Sequence, residues 1–345
     1  MDRVRCAVCA VMGASVVCAV AVAGDLNPPA GPILPTPGPE PRTAINATNT
    51  PGDADSTYRI AQPGSYYLTE NLFGEVGKHG IEIAASGVTV DLMGFTVEGK
   101  PGTLNGVTIS GAGVADVEVR NGSARDWDLD GIDLSGGGAT NVRIFEVRAS
   151  DNGAYGISAA SGSVVTGCVS TGNNSGFILG GYTVARDCVA QANASIGIYA
   201  PFSCTIDGCI ARQNGDRGIE AGANSVVRGC TGALNGVDGV RIGGGSTIIG
   251  CVASTNTNNG IVAVGGGNLV IDCASVGNSG DGIEVQNGSI VRGNLCRGNG
   301  FSINDGAGIL ATSADNRIER NNCVSNDRGI DVDSLGNFIV GNTCS

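Results

Sequence analysis

Four aspartates surround the only tryptophan of the chain, Trp127, in the segment ARDWDLDGIDL. Clustered carboxylates bind Ca²⁺, which takes oxygen ligands, and an indole ring can stack on a sugar whose hydroxyl groups bond to neighbouring carboxylates. We therefore predict a ligand-binding site made of Trp127, Asp126, Asp128, Asp130 and Asp133, in which Asp126, Asp128 and Asp130 bind calcium. The alternative is that the indole ring packs against an enlarged turn and that the aspartates are solvated turn residues.

Other scarce residue types occur in the same part of the chain. The only histidine is His79, and both lysines, Lys78 and Lys100, lie near it in the sequence. Loops on a rigid scaffold often carry function. We therefore expect any binding or catalytic site to lie between Lys78 and Asp133.

The residues that must position this site belong to a repeat. A glycine followed by an apolar residue recurs twelve times, at intervals of 20 to 26 residues: Gly80, Gly106, Gly131, Gly156, Gly176, Gly197, Gly218, Gly239, Gly260, Gly282, Gly308 and Gly329. The residue two positions after the first apolar residue is again apolar. This alternation is typical of a strand with one buried face, and helical spacing is absent.

The length of the repeat decides among the solenoid folds. Leucine-rich repeats require a leucine framework that is missing here, left-handed helices require hexapeptide multiples, and propeller blades are about twice this length. We predict an all-β fold, a single-stranded right-handed parallel β-helix (solenoid) of about twelve coils with an N-terminal cap.

Identical positions of successive coils lie above one another in such a fold and form ladders. One turn position holds asparagine, which tolerates left-handed backbone and can bond to neighbouring main chain, so these residues are predicted to be structural: Asn152, Asn173, Asn193, Asn214, Asn235, Asn256, Asn278, Asn299 and Asn326. A second ladder contains the outward residue of each strand, where Glu220 and Arg241 are predicted to form a surface ion pair. This outward ladder carries no clear active-site stripe.

Six cysteines share another repeat position: Cys168, Cys188, Cys209, Cys230, Cys251 and Cys273. Their spacing excludes short metal-binding motifs such as CxxC pairs. Stacked neighbours about 4.8 Å apart are too distant for a relaxed disulfide, so buried free thiols are favoured over vertical disulfides and over an array for a soft metal. Cys204 lies at a different position and is predicted to be an unpaired, partly exposed thiol.

Composition divides the chain into four segments. Residues 1–23 have two arginines, an apolar run and a closing Ala-Val-Ala, and are predicted to be a cleaved signal peptide rather than a membrane anchor. Residues 24–55 form a Pro-rich spacer and extended segment, residues 56–79 the N-terminal cap, and residues 80–345 the β-helix. We therefore expect a secreted or cell-surface protein without a membrane span.

Charge and the end of the chain indicate possible partners. The net charge of −12 makes nucleic acid and anionic membranes poor partners. The last coil ends at Ser345 without a polar cap, so either the sequence is truncated or this coil associates end to end with a partner. The enlarged turn between Asn299 and Gly308 is interpreted as an insertion or a binding loop.

The repeat and its N-terminal flank resemble the pectate-lyase-like superfamily of right-handed parallel β-helix proteins, and are similar to exported bacterial β-helix repeat proteins. The resemblance runs from Thr43 to the end, through YRIAQPGSYYLTENL, KHGIEIAASGVTVDL and the repeated Asn-x-x-x-Gly-Ile. The resemblance implies the β-helix fold. Members that act as polysaccharide lyases use calcium-binding carboxylates and an Arg or Lys base, for which Arg125 and Lys78 are candidates here. His79-Gly80 is the only match to the hydrolase motifs of the superfamily.

Two functions follow from these observations. The first is an exported β-helix scaffold that binds extracellular or cell-wall polysaccharide, or serves as a surface or adhesion element, without catalysis. The second is a calcium-assisted polysaccharide lyase, or another carbohydrate-active enzyme, with its site on the N-terminal coils. The first is preferred because no complete set of acid, base and metal ligands is found.

Overall fold

The computed structural model describes residues 42–300 and 306–345. The predicted signal peptide, most of the Pro-rich spacer and the centre of the enlarged turn after Asn299 lie outside these residues. No helix in the described ranges is long and apolar enough to cross a membrane. The only helix that they contain is the short 3-10 turn Gly136–Gly138.

The chain winds into a parallel β-solenoid whose coils each contribute strands to three faces. Face 1 comprises 13 parallel strands: Ser56–Ile60, His79–Ile83, Val107–Ile109, Ile132–Leu134, Tyr155–Ala159, Ser175–Leu179, Ile198–Ala200, Ile219–Ala221, Val240–Ile242, Ile261–Ala263, Ile283–Val285, Ala307–Ala311 and Arg328–Val332.

Faces 2 and 3 belong to one continuous sheet. Face 2 comprises Gly64–Tyr67, Val88–Asp91, Val164–Thr166, Val184–Arg186, Thr205–Asp207, Val226–Arg228, Thr247–Ile249, Leu269–Ile271, Ile290–Arg292, Arg317–Glu319 and Phe338–Val340. Face 3 comprises Leu72–Phe73, Thr96–Glu98, Val169–Thr171, Val189–Gln191, Ile210–Arg212, Thr231–Ala233, Val252–Ser254, Ala274–Val276, Leu295–Arg297, Asn322–Val324 and Thr343–Cys344. The long strands Val117–Arg125 and Arg143–Ser150 pair with strands of both faces, and Thr43–Ala44 pairs with Gly64–Tyr67.

The fold class is therefore as predicted, and the coil count is slightly higher. Face 1 has 13 strands because Ser56–Ile60, in the segment predicted as a cap, pairs in parallel with His79–Ile83, with Tyr58 opposite Ile81. This first strand has Thr57 at the position where later coils have glycine, so the glycine repeat does not mark it.

The alternation of apolar and polar residues in the strands of face 1 determines which side chains form the core. In the strand Ile132–Leu134, Ile132 and Leu134 are fully buried, and Asp133 between them points outward. Registers such as Ile132 opposite Ile157 repeat along the axis, so the interior is a stack of aliphatic side chains. Burying each such side chain stabilises the fold by about 1.5–3 kcal/mol.

The asparagine ladder is confirmed as a structural element. Each asparagine accepts a backbone N–H bond from the preceding coil, as Asn173 Oδ1 does from Asn152 N at 2.9 Å. Its amide nitrogen donates to the next member, Asn193 Oδ1, at 3.2 Å, and to Ala149 O at 3.1 Å. The bonds continue coil by coil to Asn326, so the ladder satisfies main-chain groups at a buried turn.

The cysteine positions stack in the same way. The backbone N–H groups of Cys209, Cys230 and Cys251 each point at the sulfur of the next cysteine at 3.4 Å. The ladder then continues with asparagine, because Cys273 N donates to Asn294 Oδ1 at 2.8 Å. Both residue types place an acceptor at the same point, and the amide is the stronger acceptor.

Cys204 differs from its prediction. It is 1% exposed, and its sulfur lies 3.4 Å from Gly180 O and 3.2 Å from Phe202 O. Burial also raises the pKa of this thiol. The small polar position that Cys204 shares with Ser225 faces the interior of a turn, so the predicted partial exposure is wrong.

Thiol titration should separate one cysteine from the others. All ten cysteines of the described residues are free, and only Cys344 is exposed. In the protein without residues 1–23, which contain the other three of the 13 cysteines, we expect one rapid reaction with a thiol reagent in the native state and nine further reactions after denaturation without reductant. Fewer reactive thiols in the denatured, unreduced protein would instead indicate vertical disulfides.

The last coil presents apolar side chains to solvent. Leu335 is 93% exposed, and Phe338, Ile339 and Val340 are each about half exposed. End-to-end association through this coil stays a prediction.

Candidate functional site

The predicted acidic segment lies at the turn that joins face 3 to face 1. Asp126 and Asp128 are exposed and line a depression of about 370 Å³ together with Pro101 and Asp151. Asp130 is buried at the end of this turn. The segment is therefore divided between the exterior of a turn and the surface of face 1.

Trp127 is not available for sugar stacking. Its side chain is 1% exposed, and its indole Nε1 donates to Val97 O at 3.0 Å. A methyl group at Gly74 or Gly80 would come within 2.9 Å of its ring carbons, so the ring fills space that these glycines leave open. The predicted sugar stacking does not fit this burial, and the indole ring packs inside the solenoid as the alternative expects. The solvated aspartates of that alternative do not include Asp130, which is buried.

The structure does not bring the predicted calcium ligands together. Asp126 pairs with Arg125 at 3.1 Å, Asp128 Oδ2 accepts Gly102 N at 2.7 Å, and Asp130 Oδ1 accepts Tyr155 N at 2.9 Å. Within the described ranges, the only set of three acidic residues whose carboxylate oxygens lie close enough together to share a metal ion is elsewhere, on the first coils.

Arg125 and Lys78 take part in exterior ion pairs. Arg125 Nη2 lies 2.7 Å from Glu98 Oε2, and its side chain is 46% exposed. Lys78 Nζ lies 3.1 Å from Glu75 Oε2. Both residues are therefore ordinary surface cations, and neither of these ion pairs includes Asp130 or Asp133.

His79 belongs to a polar network on face 1. Its Nδ1 accepts a hydrogen bond from Asn105 N at 3.1 Å, and its ring is half-buried. Burial lowers the pKa of His79, against the opposing effect of Asp55 and Glu82. The imidazole is therefore neutral at physiological pH and presents an acceptor nitrogen to the backbone of the next coil.

Asn105 joins the members of this network. Its Oδ1 accepts Asp130 N at 3.0 Å, while its Nδ2 donates to Asp133 Oδ2 at 3.2 Å and to Thr108 Oγ1 at 3.4 Å. Its own backbone N–H is the donor to His79. One buried amide thus holds groups from three successive coils in fixed relative positions.

Asp130 is the most perturbed carboxyl of the network. The pKa of Asp130 is raised to about 7, chiefly by burial; the bond from Tyr155 N lowers it, and the nearby charge of Asp133 adds to the rise. A carboxyl group with this pKa is part protonated at neutral pH and can act as a proton donor.

A second polar cluster lies further along face 1. Asp238 is 2% exposed, and its Oδ2 lies 3.6 Å from Arg217 Nε and 3.9 Å from Arg241 Nη1. The predicted pair of Glu220 and Arg241 belongs to this cluster, with Oε1 and Nε 4.0 Å apart. Nearby, burial raises the pKa of Glu284. The opposite charges compensate one another here, which is typical of a structural network.

The sequence interpretation missed Asn105 and the acidic residues of the first coil. Asn105 holds the position directly before the repeat glycine, which is His79 one coil earlier and Asp130 one coil later. Aligning that column along the repeat would have placed these three residues together. Asp53 and Asp55 precede the first repeat glycine, so no repeat alignment indicates them.

Comparisons with known proteins agree with this architecture. The family described as right handed beta helix region matches residues 59–247. No curated protein matches the sequence. The mannuronan C-5 epimerase AlgE6 A-module of Azotobacter vinelandii superposes with a TM-score of 0.57 at 14% identity, over 83% of this chain and 91% of that chain.

Two other solved structures are similar to the same extent. The mannuronan C-5 epimerase AlgE4 A-module of Azotobacter vinelandii gives a TM-score of 0.55 at 15% identity, over 82% of this chain and 91% of that chain. A variant of the periplasmic alginate epimerase AlgG gives 0.57 at 12% identity, over 88% and 84%. At such identities the likeness establishes the fold alone. Since the family match spans more than half of the chain, this protein belongs to the right-handed β-helix family.

Proposed function

We propose that this protein binds an extended polysaccharide along the outward surface of face 1. The observation that carries the proposal is the hydrogen-bonded column of His79, Asn105 and Asp130, with Asp133 beside it. Its members come from coils about 4.8 Å apart. Asn105 and Asp130 are buried, and the bonds from Asn105 hold the partly exposed side chains of His79 and Asp133 in fixed positions along one line. A linear polymer of repeated units is the kind of ligand that such a line fits.

Further along the same surface, face 1 offers an aromatic group. Tyr199 is the outward residue of the strand Ile198–Ala200 and is half-buried, with its neighbour Ile178 directly opposite in the preceding strand. An aromatic ring held by a sheet can stack on a sugar ring at low entropic cost. We therefore infer that the contact surface extends from His79 to Tyr199.

The comparisons support a polysaccharide ligand. The similar solved structures are named for mannuronan and alginate, which are linear polysaccharides, although the likeness itself establishes only the fold. Contact with an extracellular polymer also requires export, which the predicted signal peptide would provide.

The proposal predicts that Tyr199→Ala weakens polysaccharide binding about tenfold, because an aromatic contact contributes about 1–1.5 kcal/mol. Binding is measured by calorimetry against a panel of neutral and acidic polysaccharides, each with and without Ca²⁺. Tyr182→Ala is the matched control, since Tyr182 is 65% exposed but lies on a turn outside face 1, against Phe202. Equal losses in both variants, or no binding by any polymer, would contradict the proposal.

A carbohydrate-active enzyme is the second candidate, and the pKa of Asp130 favours it. A protonated Asp130 can donate a proton to a departing oxygen, which is the role of the acid in the cleavage of a polyuronate. His79 can act as the base only if the bond from Asn105 N is released, because that bond occupies the acceptor nitrogen of the neutral ring, Nδ1. In an elimination, the base removes a proton next to the uronate carboxyl group, the glycosidic bond breaks, and the acid protonates the departing oxygen.

The two candidates differ in turnover. The acidic polysaccharides of the panel are incubated with the protein and Ca²⁺, and the ultraviolet absorbance of an unsaturated product is followed. For a binding protein we expect saturable binding and no product. Product formation that Asp130→Asn abolishes would replace the first candidate with the second.

A further inference from the structure

Three carboxylates meet at the start of face 1. Asp53 and Asp55 lie just before the first strand, and Glu82 is the outward residue of the second strand. A hydrogen bond from His79 N to Asp55 O, 2.8 Å long, ties the leading segment to the second coil. As a result, one carboxylate oxygen from each of the three residues lies within 4.8 Å of the others.

Glu82 is incompletely satisfied in this arrangement. The residue is 6% exposed, its Oε1 lies 3.6 Å from Arg59 Nε, and its Oε2 is buried without a hydrogen-bond partner. A buried carboxylate oxygen without a partner costs about 1–3 kcal/mol or more. Such a group in a folded protein indicates a partner that protein atoms do not supply.

The charges of the cluster point to the same partner. Asp53 contributes one carboxylate, whose Oδ1 accepts hydrogen bonds from Ser56 N at 3.1 Å and from Ser56 Oγ at 2.7 Å. With Asp55 and Glu82 this gives three negative charges, and Arg59 supplies one positive charge. The remainder is about two negative charges, which one divalent cation neutralises.

Arg59 now occupies part of the space that a cation would take. Its Nη1 lies 3.2 Å from Asp53 Oδ2, and its side chain is 42% exposed. Ion pairs this exposed contribute about 0–1 kcal/mol, so the guanidinium can swing outward at little cost. The arginine and a metal ion therefore compete for the same carboxylates.

We propose that Asp53, Asp55 and Glu82 bind a divalent cation at the first coil. An all-oxygen donor set suits Ca²⁺, which accepts irregular geometry and completes its coordination with water, better than it suits Mg²⁺. This site is distinct from the calcium site predicted at Asp126, Asp128 and Asp130, and it does not depend on polysaccharide binding. Bound cation would join the leading segment to the second coil and stabilise the N-terminal end of the solenoid.

The test is a titration of the purified protein with Ca²⁺, with Mg²⁺ in a parallel arm, followed by calorimetry and by the midpoint of thermal unfolding. We expect saturable Ca²⁺ binding that raises the unfolding temperature. Glu82→Gln should weaken binding at least tenfold, because it keeps the shape but removes the buried charge. Asp55→Asn, at an exposed position, should weaken it several-fold and guards against a folding defect in the first variant.

Arg59→Gln gives the decisive contrast. It removes the competing cation and should tighten Ca²⁺ binding several-fold. Its matched control is Arg125→Gln, which removes the cation paired with Glu98 and Asp126. Neither of these carboxylates has a buried oxygen without a hydrogen-bond partner. Equal gains in both arginine variants would indicate nonspecific surface attraction and overturn the proposal. The absence of Ca²⁺ binding, or binding unchanged in Glu82→Gln, would overturn it equally.

Discussion

Asn173→Ala should lower the free energy of unfolding by about 3–5 kcal/mol. The Asn173 side chain accepts two hydrogen bonds from Asn152 at 2.9 Å and donates to Ala149 O, Ser170 Oγ and Asn193 Oδ1. Each bond contributes about 0.5–1.5 kcal/mol, and each buried group left without a partner costs about 1–3 kcal/mol. The expected loss is less than the sum because a water molecule can enter the vacated space.

Asn174→Ala is the matched control for this variant. Asn174 is the next residue in the chain and is exposed, so its replacement should change stability by less than about 0.5 kcal/mol. The measurement is denaturant unfolding followed by far-ultraviolet circular dichroism. Similar losses of unfolding free energy in both variants would show that the hydrogen bonds of the asparagine ladder stabilise the fold no more than an exposed turn residue does.

The ladders explain why most of the fold could be predicted. In a solenoid, residues that recur at one repeat position also contact one another, so a pattern along the chain becomes a row in space. Asn173 and Asn193 are 20 residues apart in sequence and bonded in the structure. The burial of Ile132 and Leu134 could be predicted equally directly, because apolar residues that alternate with polar ones all lie on one face of a strand.

Trp127 shows where this reasoning fails. The turn that holds it is longer than in later coils, and a repeat pattern does not say whether a turn residue points inward or outward. Gly74, Gly80 and Gly106 supply the missing information, because a side chain at any of them would collide with the ring. That relation joins residues of three successive coils and cannot be read from the local sequence.

The candidate site was predicted in part. Asp130, Asp133 and His79 do belong to one network, but the predicted grouping joined residues by closeness in sequence. In the structure, consecutive residues of a turn diverge, so Asp126 faces Arg125 on the exterior while Asp130 bonds along face 1. The amide that connects the network, Asn105, comes from the preceding coil.

The first coils have a consistent electrostatic character. Glu82, Asp130 and Asp133 all lie on face 1 near His79, which is neutral, and Arg59 is the cation paired with Glu82. An acidic polymer would be repelled by this surface unless a cation lay between them. Under the proposed function, a divalent cation at Asp53, Asp55 and Glu82 would therefore allow face 1 to accept polyuronates as well as neutral polymers.

Asp130→Asn should stabilise the protein at alkaline pH and leave it unchanged at acidic pH. The folded-state pKa of Asp130 is about 7, against 3.8 for an unperturbed carboxyl group. Between these values the unfolded chain releases the proton and the folded protein keeps it, so the wild-type protein loses stability as pH rises. One pKa unit corresponds to about 1.4 kcal/mol, which gives an expected difference of about 2–4 kcal/mol above pH 7 and none below pH 4.

The asparagine variant isolates the charge because it preserves the geometry. Its amide oxygen can still accept the bond from Tyr155 N, and its amide nitrogen replaces the donor of a protonated carboxyl group. Unfolding is measured at several values between pH 4 and pH 8, with Asp128→Asn as the control, since Asp128 is exposed two residues earlier. A pH profile parallel to that of the wild type would mean that Asp130 is ionised at neutral pH. It would then be unable to donate a proton, and the enzymatic candidate would lose the group on which it depends.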